Sequence, residues 1–186
     1  FDSDIERVTG QRLYNEFGLT KPMNWTAGFL QPTIKYRSVN YELDRPFTYI
    51  ENSPNAGSLM ASLDGGLIFE RQTSFFGQSM TQTLEPRLYY LYSQYEEQIF
   101  QPDFDTAELT FSYGQLFRDT RFSGNDRLDD ANQLSVGVTS RYFDNETGEE
   151  KLSASLGQIY YFRDREVRLN TFDPVLAENT SPLAGE

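Results

Sequence analysis

The sequence predicts an all-β chain of antiparallel strands, and three observations carry that prediction. Several runs alternate apolar and polar residues with a period of two, as a strand does when one side is buried or faces lipid. The 186 residues are 38% hydrophobic yet 15% aromatic, with 15 Phe and 12 Tyr. The stretches between the runs are rich in Gly, Pro, Asn, Asp and Ser, the residues of turns. Two architectures fit. One is part of a large transmembrane β-barrel, where every second residue faces lipid and aromatic girdles mark both interfaces. The other is a water-soluble β-sandwich, which also alternates and also uses Tyr; composition taken alone favours the sandwich.

In chain order, the first strand is expected over residues 9–19, with Leu13, Phe17 and Leu19 on one face opposite Arg12, Tyr14 and Glu16. Thr20 to Asn24 reads as a short connection, since Pro22 cannot donate to a ladder. The second strand, 25–43, opens on Trp25 and changes phase near Ser38, so a bulge there or an exit from the membrane is expected. Asp44 to Gly57 is a loop with Phe47, Tyr49 and Ile50 embedded in it. The third strand, 58–71, contains Gly65-Gly66, which leaves room for a neighbour. The fourth, 79–95, sets Leu84, Leu88, Tyr90 and Tyr92 against Glu85, Arg87 and Tyr89. Strands at 133–143 and 151–163 form a hairpin around Asp144 to Glu150, and Leu169 to Glu186 has no period and reads as loop.

These six strands imply connections that run short, long, short, very long, short, long. Outer-membrane barrels alternate in this way, with short periplasmic turns and long extracellular loops. The pattern holds when residues 96–132 are one excursion. It places the apparent strand at Glu108 to Phe117, where Leu109, Phe111 and Tyr113 are in phase, inside that loop; the alternative is a seventh wall strand. Six strands fall short of the minimum of about eight in a closed bacterial barrel, so residues 1–186 are expected to form a partial barrel domain.

The formal net charge of −12 leaves no basic stripe for nucleic acid. With no Cys and no His, thiolate chemistry and the common zinc ligands are excluded, and no metal or cofactor site is expected. The carboxylate pairs Asp129-Asp130, Glu96-Glu97 and Glu149-Glu150 could suggest acid/base chemistry, but adjacent acids in a loop fit a charged surface better. Catalysis is not expected. Residues 96–132 hold nine of the acids against Arg118, Arg121 and Arg127, so an acidic rim is expected unless the arginines pair inward.

The run Arg121-Phe122-Ser123-Gly124-Asn125-Asp126-Arg127, followed by Asp130-Ala131-Asn132-Gln133, resembles a motif in the barrel domain of the LptD family (OstA/Imp) of lipopolysaccharide-assembly proteins. Leu84-Glu85-Pro86-Arg87, Gly137-Val138-Thr139-Ser140-Arg141 and Gly157-Gln158-Ile159-Tyr160-Tyr161-Phe162 look like that family's segments, in its order. The resemblance implies the middle of a large barrel in the outer membrane of a Gram-negative bacterium. The implied work is lipopolysaccharide transport and assembly without covalent chemistry, with this chain supplying part of the wall and of the extracellular cap. Implied partners are lipopolysaccharide, a plug lipoprotein (LptE-like) inside the barrel, periplasmic bridge proteins and outer-membrane lipids. A porin-like diffusion channel and a soluble β-sandwich binding module are the alternatives.

Arg118, Arg121, Gly124, Asp126, Arg127, Asp130, Asn132 and Gln133 are expected to organise the loop. Arg121, Asp126 and Arg127 would fix its fold through Arg–carboxylate forks, and Asp130 and Asn132 would anchor it to the next strand. A solvated loop with no fixed network is the alternative. Glu85, Arg87, Thr139 and Arg141 are expected to face the lumen.

Overall fold

A computed structural model describes residues 8–44, 51–75, 77–170 and 173–186. Its strands are β1 (Gly10–Thr20), β2 (Met23–Trp25), β3 (Gly28–Leu43), β4 (Asn55–Leu67), β5 (Phe69–Phe75), β6 (Gln78–Ser93), β7 (Ala131–Asp144), β8 (Glu150–Tyr161) and β9 (Ala184–Gly185), with one 3-10 helix at Tyr113–Phe117. All pair antiparallel in one sheet of order β1-β3-β4-β6-β7-β8-β9, with β2 beside β3 and β5 beside β6. A sandwich requires a second sheet facing the first, and the described residues form one. The embedded Phe47, Tyr49 and Ile50, and the stretch 1–7, lie outside the described residues.

Several boundaries differ from the sequence expectation for definable reasons. The first hairpin turns at Thr26-Ala27, where Trp25 faces Gly28, and not between Thr20 and Asn24. Pro22 interrupts the ladder only briefly: the Lys21 amide donates to Pro32 O at 3.1 Å, and pairing resumes at Met23 opposite Leu30. The third strand reaches back to Asn55 and on to Phe75, and its break at Ile68 leaves the register intact, with Gly66 facing Arg87 and Phe69 facing Leu84. No bulge occurs at Ser38, which pairs in register with Asn15 on one side and Gly57 on the other. The apolar phase changes there because the burying layer changes sides.

That layer is the long excursion between β6 and β7. Ser93 pairs directly with Ala131, so residues 94–130 leave and re-enter the sheet between adjacent strands. Glu108 to Phe117 lies within this excursion as a single bridge, Glu108 to Phe122, followed by the 3-10 helix. The excursion packs on one face of the sheet, called here the inner face. Val39, Tyr41, Leu43 and Ala56 are buried there beneath Leu128, and Met60, Tyr89, Leu91 and Ala131 cluster beside them, with Phe117 packed against that cluster. Leu116, buried completely, packs with Ile159 and Ala184.

The C-terminal segment is also more ordered than its sequence suggests. Residues 179–186 run along the free edge of β8: Tyr161 N donates to Asn179 O, Ser181 N to Ile159 O, and Ser155 and Glu186 exchange both amide bonds. Arg165 and Leu176 form a bridge in the preceding turn.

The outer face is apolar across the sheet. Phe17, Ile34, Leu63, Leu88, Val138 and Leu156 are all exposed there, although they sit mid-strand. Register aligns them in rows: Leu19 faces Ile34, Pro32 faces Leu63, Leu88 faces Val136 and Val138 faces Leu156. A contiguous apolar surface on this scale marks an interface with protein or lipid. Connections sort by length as well. The strand ends joined by short connections (β2 to β3, β5 to β6 and β7 to β8) lie at one end of the sheet, and those joined by long ones (β3 to β4, β6 to β7 and β8 to β9) at the other.

Candidate functional site: a strapped loop on the inner face

The loop is held by two adjacent residues that reach in opposite directions. Asp126 is fully buried. Its Oδ1 accepts from Arg12 Nη1 at 2.6 Å and Tyr41 Oη at 2.8 Å, which ties the loop to β1 and β3. Its Oδ2 accepts from the amides of Phe104 (2.8 Å) and Asp105 (2.9 Å) and from Thr106 Oγ1 (3.1 Å), which closes the loop on itself. Burial alone would raise this carboxyl's pKa, but the Asp105 and Phe104 amides, Arg12 and Tyr41 outweigh it and hold the group well below the usual carboxylate range. Arg12 also forks onto Asp105 at 2.7 and 3.0 Å.

Arg127 spends all five of its N–H donors on backbone carbonyls. They go to Pro102 (3.0 Å), Gln101 (3.2 Å), Asp126 (3.1 Å), Arg168 (2.9 Å) and Leu169 (2.9 Å). The expected fork onto a carboxylate is absent at Arg127. Carbonyls replace it because the loop turns here without a ladder, and buried C=O groups need donors. Burial pushes the guanidinium's pKa below its ordinary value.

Gly124 makes the approach possible. Its φ of +68° favours glycine, and a Cβ there would stand 2.7 Å from Asp105 O and 2.8 Å from Thr106 Oγ1. Arg121 is the one predicted arginine that meets a carboxylate of the motif: its amide donates to Asp129 Oδ2 at 2.7 Å, its Nη1 lies 3.2 Å from Asp129 Oδ1, and its Nη2 donates to Val167 O. Burial raises the Asp129 carboxyl in spite of Arg121.

Asp130 anchors a different partner from the one expected. Its oxygens accept from the amides of Glu166 and Val167, both at 3.0 Å, so it holds the C-terminal segment against the base of β7. Asn132 is a β7 residue whose Oδ1 accepts from Tyr90 Oη at 3.0 Å on the outer face, away from the loop network. Arg118 is exposed, and among the described residues its side chain has no ion pair. With Arg121, Asp129, Gln133, Tyr161 and Arg165 it lines a chamber of about 200 Å³ between the loop and β7–β8.

Glu85, Arg87, Thr139 and Arg141 all lie on the inner face. Arg141 Nε is 3.3 Å from Glu85, and Arg87 forks onto Asp64 at 2.9 and 2.6 Å. Thr139 Oγ1 shares hydrogen bonds with Tyr113 Oη (3.1 Å) and Ser155 Oγ (3.0 Å). The Arg87 guanidinium also lies 4.1 Å from the ring centre of Phe117. The 3-10 helix that carries Phe117 sits in a notch made by Gly137 and Gly157, which face each other across β7 and β8. A Cβ on Gly157 would lie 2.5 Å from Leu116 Cδ1, and one on Gly137 2.7 Å from Phe117.

A second strap went unforeseen. Asp119 pairs with Lys35 (2.9 Å) and Arg37 (2.8 Å), and both also reach Glu16. Burial would raise the Asp119 carboxyl, yet Arg37 and Lys35 bring it below its ordinary value. The signal for it was present: Lys35 and Arg37 share one strand face, and Glu16 sits on the polar face of β1.

A family model described as LPS transport system D matches residues 1–186. The chain is 43% identical over 181 residues to an LPS-assembly protein LptD of Hahella chejuensis, covering 97% of this chain and 23% of the relative. It is 49% identical over 171 residues to that of Xanthomonas campestris pv. campestris, covering 89% and 21%. With that of Pseudomonas aeruginosa it shares 46% over 176 residues, covering 89% and 19%. The chain thus spans about a fifth of the length of these curated relatives.

Proposed function

Because the chain belongs to the LptD family, we propose that its sheet is a segment of an outer-membrane barrel wall and that residues 94–130 form a strapped cap over the inner face. The wall would serve lipopolysaccharide transport and assembly in a Gram-negative outer membrane. Lipopolysaccharide, an LptE-like plug lipoprotein, periplasmic bridge proteins and outer-membrane lipids are the partners this reading entails.

One observation carries the reading: an apolar outer face with aligned rows of exposed Leu, Val, Ile and Phe backs an inner face of Glu85, Arg87, Thr139 and Arg141. Charge on a lipid-facing position costs about 2–4 kcal/mol at the midplane, whereas the lumen tolerates it. The sorting of long and short connections to opposite ends supports the same orientation, with the cap outside. Inside the cap, the acidic loop meets arginines and backbone amides. Of the nine loop acids, Asp105, Asp119, Asp126, Asp129 and Asp130 are turned toward such partners, so they add little to the repulsion of lipid phosphates.

The test is a cysteine scan of the full-length protein in intact cells with a membrane-impermeant thiol reagent and a lipid-soluble one. Residues 136, 138 and 156 should react only with the lipid-soluble reagent. Labelling of all three by the impermeant one would overturn the wall assignment. A porin-like channel is separated by planar-bilayer conductance: with the cap in place the wall should stay closed, and steady conductance without any partner would favour the channel.

A further inference from the structure

The outer face carries a feature that the wall itself does not require. At the seam of β4 with its neighbours, Gly65 faces Leu30 on one side and Leu88 on the other, and the missing side chain leaves a gap. A Cβ would fit tightly there, 3.1 Å from Leu30 Cδ1. The gap opens into a groove of about 420 Å³ whose walls include Trp25, Leu30, Leu63, Leu67, Pro86 and Leu88. Toward the short-turn end, the same seam continues through Phe69 opposite Leu84 to Arg71 opposite Gln82, where a second hollow of about 330 Å³ lies.

Arg71 is exposed. Its Nε donates to Gln82 Oε1 at 2.7 Å, and its terminal nitrogens have no partner among the described residues. Glu70 borders the same hollow, but strand alternation turns it to the opposite face. Among the described outer-face residues of β3, β4, β5 and β6, Arg71 is the one cation. Arg71 lies six positions beyond Gly65. That is roughly 20 Å along a strand, or roughly 15 Å of height at the usual barrel tilt, about half of a ~30 Å hydrocarbon core. The seam is therefore as deep as one leaflet, apolar along its length and cationic at its surface end.

We propose that this seam holds one phospholipid of the leaflet on the short-turn side, with its headgroup phosphate against Arg71 and one acyl chain in the groove over Gly65. The site rests on the reading of the outer face as lipid-facing. An anionic headgroup supplies the acceptors that the Arg71 fork lacks. The groove gives the chain contacts on three sides, which a flat wall position such as Val138 cannot offer.

The experiment uses the full-length protein reconstituted in phosphatidylcholine vesicles doped with phosphatidylglycerol whose acyl chain bears a photoactivatable group. Cross-linked residues are mapped by mass spectrometry. Cross-links should concentrate on Leu30, Leu63 and Leu88 relative to Val138 and Leu156. Arg71→Gln should lower their yield about fivefold, the worth of one basic side chain near anionic lipid. Gly65→Leu, which fills the groove, should remove the concentration. If it fails to fold, the exposed Arg71→Gln still decides. Cross-links spread evenly over the outer face and unchanged by either variant overturn the site and leave the wall standing. An outer face with no cross-links anywhere overturns the wall reading itself.

Discussion

Arg127→Ala is the sharpest probe of the strap. The substitution strips donors from five carbonyls: those of Gln101, Pro102 and Asp126 within the loop and those of Arg168 and Leu169 in the C-terminal segment. A buried acceptor left without its donor costs about 1–3 kcal/mol; the three buried bonds, to Gln101, Pro102 and Asp126, together are worth about 3–9 kcal/mol on that scale, and the two part-buried ones to Arg168 and Leu169 add less. Water entering the vacated space returns part of this, and we expect a loss of about 3–5 kcal/mol, similar to breaking a buried ion pair. The loss falls on the cap and not on the sheet, whose ladders Arg127 does not touch. Cap opening should then rise by roughly a hundredfold or more, since about 1.4 kcal/mol is a factor of ten. The assay is cleavage within residues 94–130 by protease added to intact cells, under conditions where opening is fast relative to cutting. Arg127→Lys, with three donors, should fall between wild type and alanine. Arg118→Ala, which removes an exposed side chain that has no ion pair among the described residues, should cleave as wild type does. Protection in Arg127→Ala indistinguishable from wild type would refute the strap.

Three further outcomes follow from the same geometry. The folded Asp126 carboxyl is held below its unfolded value, so its contribution is complete at neutral pH and is lost progressively as pH falls from the ordinary carboxylate range through the lowered folded value; protease protection of the cap should therefore be flat in this term from neutral pH down to about pH 5 and decline below it, and Asp126→Asn should open the cap at neutral pH. Asp129 has the opposite sign: its folded pKa is raised by burial, so its destabilising effect grows as pH rises through that value, and Asp129→Asn should make cap protection less dependent on pH. Gly157→Val would drive a side chain into Leu116 and Val136 O, costing about 1–3 kcal/mol in overpacking and unseating the 3-10 helix, which thiol labelling of a cysteine at position 117 would detect.

The all-β class was legible because alternation is a local property. Leu84, Leu88, Tyr90 and Tyr92 declare a face without reference to any partner, and the same is true of Leu152, Leu156 and Tyr160. What could not be read was which layer buries which face. Val39, Tyr41 and Leu43 break phase with Ile34 and Tyr36 because Leu128, far along the chain, covers them. The loop motif was recognisable from its residue types, and Gly124 from its turn chemistry. The partners were not. Nothing near Asp126 in the sequence points to Arg12 or Tyr41, and nothing near Arg127 marks the carbonyls of residues 168 and 169. The absence of a period after Leu169 concealed an edge contact with β8, because backbone pairing at an edge needs no side-chain pattern.

The back-to-back placement of Asp126 and Arg127 also sets an order of assembly. One residue bonds a group 114 positions earlier and the next bonds groups 41 and 42 positions later. Contacts of such separation form only after the chain between them has been brought together. β1 and β3 must already be paired before the Asp126 knot can close, and the chain must have passed through β7 and β8 before the Arg127 knot can. The strap therefore cannot tie over a half-built wall. Its full closure is a late event that registers completion of the neighbouring strands, and the burial of position 127 offers a marker for timing that step in refolding experiments.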